Sequence, residues 1–230
     1  MDAASPARLG DPSESFSVKQ ASVSQRVAEE IRELIFRGEL VGGEKVPQDT
    51  IATRLGVSRL PVREALIALE ADGLVYTEQH RGTFVSVFTP EDLRDHYSIC
   101  GLVHGLAASR AAASASDADL EELRRLNEAM TAESDDARLY SLHWAFHQLI
   151  NRIGGTRRLR AVLHQLSHNL PRSLFTGISP RDVDASVAHA DLIEALVARD
   201  GERAALLTRR HLEVEAELVI SRLVRQGLWG

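Results

Sequence analysis

LGVSRLPVREAL, residues 55–66, is the stretch that decides the fold of the first part of this chain. It predicts a helix that ends at Gly56 and a second helix that starts near Ser58, and this arrangement is a helix-turn-helix. On the second helix Arg59 and Arg63 are four residues apart, so they project from one face. Such a helix can enter the major groove of DNA, where arginine matches the two acceptors of guanine or a phosphate.

The flanking residues complete a small mixed domain. Apolar residues at helical spacing predict an earlier helix that ends before Gly38, and β-like runs at 74–77 and 83–88 predict a hairpin. His80, Arg81 and Gly82 lie in its loop, where they can approach the minor groove or the DNA backbone. Three helices followed by a hairpin predict a winged helix-turn-helix, although the two arginines alone also fit a solvated face of a small core. The inward positions of the three helices are Val27, Ile31, Leu34, Ile35, Ile51, Leu55, Val62, Ala65, Leu66 and Leu69.

Residues 38–85, GELVGGEKVPQDTIATRLGVSRLPVREALIALEADGLVYTEQHRGTFV, resemble the winged helix-turn-helix of the GntR family of bacterial transcription regulators. The resemblance covers about residues 20–88. It implies that Arg59 and Arg63 contact base edges, that Ser58 and Leu60 lie against the DNA, and that the wing at 80–82 touches the minor groove. Many members carry a hydroxyl residue where this chain has Leu60, a difference that removes a phosphate contact or changes a base preference.

Length and composition limit the other classes. The chain has 230 residues, 44% hydrophobic and 26% charged, as expected of a globular protein with a core. Residues 1–17 lack an apolar signal segment, and no run of 18 apolar residues occurs, so we expect a cytoplasmic bacterial protein without a membrane span. The single cysteine, Cys100, excludes an internal disulfide framework and is expected to be a small buried hydrophobe.

The formal charge of −6 is unusual for a DNA-binding protein. We divide the chain into a flexible tail at 1–17, a DNA-binding domain at 18–88 and a helical effector-binding and dimerisation domain at 89–230. These carry −2, −1 and −3, which sum to −6. Because the DNA-binding domain is nearly neutral, we expect affinity to come from a few placed arginines presented twice, by a homodimer on a short palindromic operator of double-stranded DNA.

Residues 89–230 are almost free of strand signals and predict an antiparallel six-helix bundle, so the fold class is mainly α. Thr89-Pro90-Glu91-Asp92 and Ser116-Asp117-Ala118-Asp119 have the composition of helix starts. Further starts are predicted near Ser134, Thr156, Ser179-Pro180 and Asp200-Gly201, with breaks at Gly154-Gly155 and Gly177.

Eight of the nine histidines fall in this helical part. His143 and His147 share a helix face in HWAFH, and His189 and His211 lie on later helices, so imidazoles that converge in the bundle predict a divalent metal site. The segment resembles the FCD branch of the same family, in whose metal-binding members an Asp and three His hold the ion. By that resemblance His147, His189 and His211 match the three histidines, and His143 replaces the aspartate.

This replacement has a chemical consequence. Four nitrogen ligands disfavour Mg²⁺ and Mn²⁺ and favour Zn²⁺, Ni²⁺ or Cu²⁺, with zinc expected first and nickel next. Alternatively His143 swings away and leaves three histidines with open positions. The simpler alternative is that all four are ordinary core or surface histidines.

A small-molecule effector is expected beside the metal. His164 and His168, with Arg172 nearby, can face the same cavity or form a solvated polar stripe. On the first helix of the bundle, the resemblance aligns an Arg and a Glu of the family with Cys100 and His104. The pocket has then lost a cation for carboxylates and gained a nitrogen at His104, so the effector need not be the usual carboxylate.

Three functions follow from these patterns. The first is a ligand-responsive transcription regulator, a repressor, with its effector at or beside a divalent metal. The second is a direct metal sensor in which the ion is the signal. The third is a metallohydrolase fused to a DNA-binding head, which the absence of His-Glu-x-x-His, Gly-x-Ser-x-Gly and P-loop patterns disfavours, so we expect no enzyme.

Overall fold

The winged helix-turn-helix predicted from residues 55–66 is present in the computed structural model, which describes residues 22–167, 169–171, 174 and 185–229, with 185–188 as backbone only. Its helices pack through the inward residues that the periodicity predicts, and Val62 and Leu69 are completely buried. Two antiparallel strands form the wing in the register Val75↔Val85 and Glu78↔Gly82. The elements are α1 (Val23–Phe36), α2 (Gln48–Leu55), α3 (Arg59–Ala71), β1 (Val75–Glu78) and β2 (Gly82–Val85).

The turn between α2 and α3 depends on Gly56, whose φ of +64° lies in the left-handed region that favours glycine. Arg32 of α1 and Asp72 at the end of α3 form a largely buried ion pair at 2.7 Å, which ties the first and third helices together. These two features fix the orientation of α3 relative to α1 and α2.

The described part of the second domain contains the six predicted helices. Capping boxes at Thr89–Asp92 and Ser116–Asp119 start two of them as predicted, and Asp135, one residue beyond the predicted Ser134, caps the third. The predicted start at Ser179-Pro180, the break at Gly177 and the tail at 1–17 lie outside the described residues. The helices are α4 (Pro90–Ser114), α5 (Asp117–Ala132), α6 (Asp136–Gly154), α7 (Arg157–Leu166), α8 (Ala185–Val197) and α9 (Gly201–Arg225).

Helix α4 is central, because it packs along α9 and α6 and also contacts α7 and α8. Its crossing with α6 is close: a Cβ added at Gly154 would lie 1.9 Å from the carbonyl oxygen of Ala107. This spacing brings α4, α6, α8 and α9 near enough for their polar side chains to meet in the bundle interior. None of the described helices is both long and apolar enough to cross a membrane.

One hydrophobic cluster contains residues of both domains. Phe36 of α1 packs edge-on against Phe88, which in turn stacks with Trp229 after the end of α9. The Trp229 indole Nε1 donates a hydrogen bond of 2.6 Å to the Phe88 carbonyl oxygen. Helix α9 therefore connects the bundle interior directly to the DNA-binding domain.

Candidate DNA-reading surface and histidine centre

The first turn of α3 carries the predicted DNA contacts on its exposed side. Ser58 is the N-cap residue, but its side chain makes no capping hydrogen bond, so its hydroxyl is available to a phosphate. Arg59, Leu60 and Arg63 are exposed, and Leu60 keeps 64% of its accessible surface. Since the inward side of α3 is fully packed, this outer face is presented rigidly.

The wing brings a second set of predicted residues beside α3. His80 has φ +63° at the hairpin tip, and Arg81 pairs with Glu78 and lies over the Phe84 ring. Gly82 has φ +110°, and a Cβ there would come within 2.8 Å of the Lys45 side chain. Gly82 is thus required by local geometry whatever its contact with DNA.

An open groove of about 960 Å³ lies between α3, the start of α2 and the wing. It is lined by Lys45, Thr50, Arg59, Arg63 and Thr83, among others. Lys45 was not predicted from the sequence to be part of this surface. It forms an isolated antiparallel backbone bridge with Phe84, on the edge of β2 that faces away from β1. The signal was faint, because Lys45 lies in a loop and becomes part of this surface only through the wing. The groove combines cationic and hydroxyl side chains, which are suited to contacts with the phosphate groups of a ligand.

One arginine of this face is already held by a carboxylate. Arg59 Nε lies 2.6 Å from Asp49 Oδ1, and Arg59 Nη2 lies 2.8 Å from Asp49 Oδ2. Both side chains are well exposed, at 73% for Arg59 and 67% for Asp49. Asp49 is a second residue that the sequence analysis missed, since its distance from Arg59 depends on the angle between α2 and α3.

In the bundle interior the four predicted histidines meet. His143 and His147 come from α6, His189 from α8 and His211 from α9, and one nitrogen of each lies within 4.8 Å of those of the other three. The Nε2 atom of His211 is 3.0 Å from that of His143 and 3.2 Å from that of His147, and the Nε2 atoms of His147 and His189 are 3.2 Å apart. The structure thus brings together the four histidines that helical spacing and the family resemblance predicted to converge.

These contacts cannot all be ordinary hydrogen bonds. Each neutral imidazole Nε2 offers either one N–H or one lone pair, so four such atoms form at most two good donor–acceptor pairs. Three close contacts run through the same four atoms, and the Nδ1 atoms of His189 and His211 are buried without a hydrogen-bond partner among the described residues. A cation would use all four lone pairs, and tetrahedral zinc places imidazole nitrogens about 3.3 Å apart.

Desolvation keeps these histidines neutral. Burial lowers the pKa of His143 to about 3 and that of His211 to about 4, and it lowers the pKa of His147 and His189 well below the ordinary value. The neighbouring imidazoles add to the effect. Neutral imidazole is the form that ligates a metal, so these four side chains could hold a cation.

A further set of polar side chains continues from the histidine centre along α4. His104 is partly buried, has a hydrogen-bonding contact with Asn151 and interacts electrostatically with His147 and His211. Burial lowers its pKa to about 4, which the Asn151 contact opposes. His104 is therefore beside the histidine centre, where the sequence analysis expects an effector contact.

One helical turn further from the centre, other buried groups follow. His96 Nε2 lies 3.5 Å from Cys100 Sγ, and burial, with help from nearby Glu215, raises the pKa of Cys100 to about 12. Burial also raises the pKa of Glu215 to about 7, and the Tyr97 hydroxyl is buried without a hydrogen-bond partner in the described part of the chain. The spacing of His96, Cys100 and His104 by four predicts this stripe, and the sequence analysis used only part of it.

The other predicted effector residues do not join this set. His164 is exposed, because α7 turns Leu159 and Leu163 inward, and this exposure favours the solvated polar stripe over the contact in the cavity. His168 and Arg172 lie outside the described residues. Cys100 is buried, as expected of a small hydrophobe.

Comparisons with known proteins agree with both domains. Residues 23–85 match the family described as bacterial regulatory proteins, gntR family, and residues 95–214 match the FCD domain. The chain is 32% identical over 195 residues to the probable D-xylose utilization operon transcriptional repressor of Paenarthrobacter nicotinovorans, covering 81% of this chain and 85% of that protein. It is 27% identical over 212 residues to the HTH-type transcriptional repressor RspR of Escherichia coli K12, covering 89% and 91%.

A solved structure shows the same likeness. The GntR family regulator from Pseudomonas syringae pv. tomato str. DC3000 superposes with a TM-score of 0.57 at 25% identity, covering 89% of this chain and 87% of that one. These relatives are transcription regulators rather than enzymes, so the metallohydrolase alternative is rejected. The chain belongs to the GntR family of bacterial DNA-binding transcription regulators, with an FCD domain as its second domain.

Proposed function

We propose that this protein is a ligand-responsive repressor that binds a short palindromic operator as a homodimer and takes its effector at or beside a divalent metal in the helical domain. The observation that carries the DNA part is the exposed first turn of α3, where Arg59 and Arg63 point from one face beside the groove and the wing. Leu60, on the same turn, suits the methyl group of a thymine. Two of the relatives are named repressors, which supports the direction of regulation.

Exposed apolar residues on α4 support the homodimer. Ile99, Leu102 and Leu106 are 51%, 61% and 45% exposed and stand on one side of the helix. A second copy of the chain would cover this stripe and present two recognition helices to a two-fold operator. Light scattering after size exclusion tests it: Leu102→Glu should give a monomer, and Val197→Glu, at an exposed position at the end of α8, should not. A monomeric wild-type protein would contradict the proposal.

The histidine centre supports the metal. Its four nitrogens are desolvated, neutral and mutually close, and a cation would satisfy their contacts together. A set of four imidazoles suits Zn²⁺, with Ni²⁺ next, better than Mg²⁺ or Mn²⁺. A bound ion would act there as a Lewis acid that anchors one polar group of the effector.

The stripe along α4 supports an effector site next to the metal. His104, Tyr97 and Glu215 provide a donor or acceptor each inside the bundle, at a distance from the DNA surface. Helix α9 carries His211, and Trp229, just after the end of α9, contacts Phe88. An effector that shifts α9 would change the relative placement of the two DNA-binding domains, so the operator spacing no longer fits.

Titration of a labelled operator tests the DNA assignment. The operator is a palindrome selected from the DNA upstream of the protein's own coding sequence. Arg59→Ala and Arg63→Ala should each weaken binding at least about fivefold, since a good bidentate contact is worth about 1–3 kcal/mol. Arg124→Ala and Arg125→Ala on α5 remove the same charge far from α3 and should leave affinity nearly unchanged. If all four variants bound the operator with equal affinity, the assignment of Arg59 and Arg63 as DNA contacts would be overturned.

Direct metal sensing is the second candidate, and the histidine centre itself favours it. A chelator titration followed by DNA binding separates the two functions. If DNA affinity follows the metal reversibly, the ion is the signal. If the metal is retained and its removal lowers thermal stability without changing DNA affinity, the ion holds the effector or the fold.

A further inference from the structure

We propose that Asp49 is a positioning residue that holds Arg59 ready to contact a guanine, and this inference rests on the proposed DNA-reading function. The Asp49 carboxylate accepts hydrogen bonds from Arg59 Nε at 2.6 Å and from Arg59 Nη2 at 2.8 Å. It therefore occupies the side edge of the guanidinium. The two outward N–H groups at the end of the guanidinium, one on each Nη, stay available for the O6 and N7 acceptors of guanine.

A role in folding does not account for this pair. Both side chains are exposed, and exposed ion pairs contribute little to stability because water and salt screen them. Asp49 also adds a negative charge to a groove that phosphates approach, which by itself opposes DNA binding. What the pair provides is orientation: a long side chain that is fixed before binding loses less conformational freedom on binding.

Local structure keeps Asp49 in place. It lies in the first turn of α2, where the helix dipole favours a carboxylate, and Gly56 fixes the angle between α2 and α3. Arg63, on the same face of α3, has no ion-pair partner among the residues that the structure describes. The two arginines therefore differ: Arg59 is held in one orientation for a single base, and Arg63 adapts to a base or a phosphate.

The test compares base preference at single positions. Wild-type protein, Asp49→Ala and the isosteric Asp49→Asn are each used to select operators from a library of randomised palindromes, and Arg59→Ala identifies the position that Arg59 contacts. Glu39→Gln is the matched control, because Glu39 is an exposed acid of the same domain that pairs with Arg54 on α2 at 3.0 Å. Thermal melting confirms that all variants remain folded.

The expected result is specific. In both Asp49 variants the preference for guanine at the Arg59 position falls about tenfold, the other positions keep theirs, and binding to unrelated DNA becomes stronger. Glu39→Gln strengthens binding to unrelated DNA without loss of preference. The inference is overturned if Asp49→Ala keeps the guanine preference within twofold or weakens all positions alike. If the wild-type protein selects no palindrome, the DNA function fails first and the inference with it.

Discussion

His143 sets the chemistry of the histidine centre at the scale of a single residue. Its Nε2 lies 3.0 Å from that of His211, so it is a ligand candidate in place and not a side chain turned away. His143→Asp would exchange a neutral nitrogen for a charged oxygen, which hard cations prefer. We expect this substitution to raise the zinc dissociation constant at least tenfold relative to the manganese dissociation constant. Competition with a chromophoric chelator measures both constants.

The control for this experiment is His164→Asp, which places the same charge on exposed α7. It should leave the ratio unchanged. An unchanged ratio in His143→Asp would mean that His143 does not contact the ion and that three histidines hold it.

Acid should destabilise the metal-free protein through its buried histidines. The pKa values of His143, His104 and His96 fall to about 3, 4 and 4 in the folded protein because of burial, against about 6.5 when unfolded. Between these values the unfolded chain binds more protons, so the free energy of unfolding falls as pH drops from about 6.5 to 4, by about 1.4 kcal/mol per pH unit for each histidine. Glu215 acts oppositely, since its raised pKa of about 7 favours the folded state at low pH, but it is one group against several.

Urea denaturation of chelator-treated protein at pH 7.5, 6.5, 5.5 and 4.5 measures this dependence. His104→Gln should reduce the slope by about one proton. A free energy of unfolding that stays flat between pH 6.5 and 4.5 would contradict the assignment of these histidines as buried and neutral.

At the scale of the element, Gly154 determines how closely α6 approaches α4. A Cβ at Gly154 would lie 1.9 Å from the Ala107 carbonyl oxygen and 2.7 Å from the Ala111 nitrogen, which are backbone atoms that cannot move aside. We therefore expect Gly154→Ala to lower the free energy of unfolding by about 3 kcal/mol through overpacking. Equilibrium denaturation checks this value.

Gly101 is the matched control on α4. A Cβ there would meet its nearest atom, of Arg209, at an ordinary 3.5 Å, and alanine is favoured over glycine inside a helix. Gly101→Ala should be neutral or slightly stabilising. If both variants lose the same stability, close packing at Gly154 is not the cause.

Features that depend on residues close together along the chain could be predicted from the sequence, and features that depend only on the arrangement of two helices could not. Thr89, Ser116 and Thr156 cap helices through contacts three residues away, so local chemistry alone predicts them. The convergence of His143, His147, His189 and His211 followed from helical spacing and family resemblance. The Asp49–Arg59 pair and the Glu215 environment could not be predicted, because each depends on the angle or register between two helices that the chain brings together only in three dimensions.

At the scale of the whole molecule, the contact between Trp229 and Phe88 couples the helical domain to the DNA-binding domain. Phe88 joins Trp229 to Phe36 of α1, and Leu223 at the end of α9 is fully buried in the same core. Because one hydrophobic cluster contains residues of both domains, we expect the domains to unfold together and zinc bound in the bundle to stabilise them together. Calorimetry of the wild-type protein should therefore show one transition that zinc shifts upwards as a whole.

Trp229→Ala removes the ring that joins the two parts and the hydrogen bond to the Phe88 carbonyl oxygen. It should cost at most about 3 kcal/mol, because Trp229 is only partly buried. The calorimetric trace should then separate into two transitions, of which only the one from the bundle moves when zinc is added. Val224→Ala, exposed near the same end of α9, should keep the single transition. A single zinc-responsive transition in Trp229→Ala would contradict the role of Trp229 and show that the domains are coupled by other contacts of the shared cluster, among them Leu223 of α9.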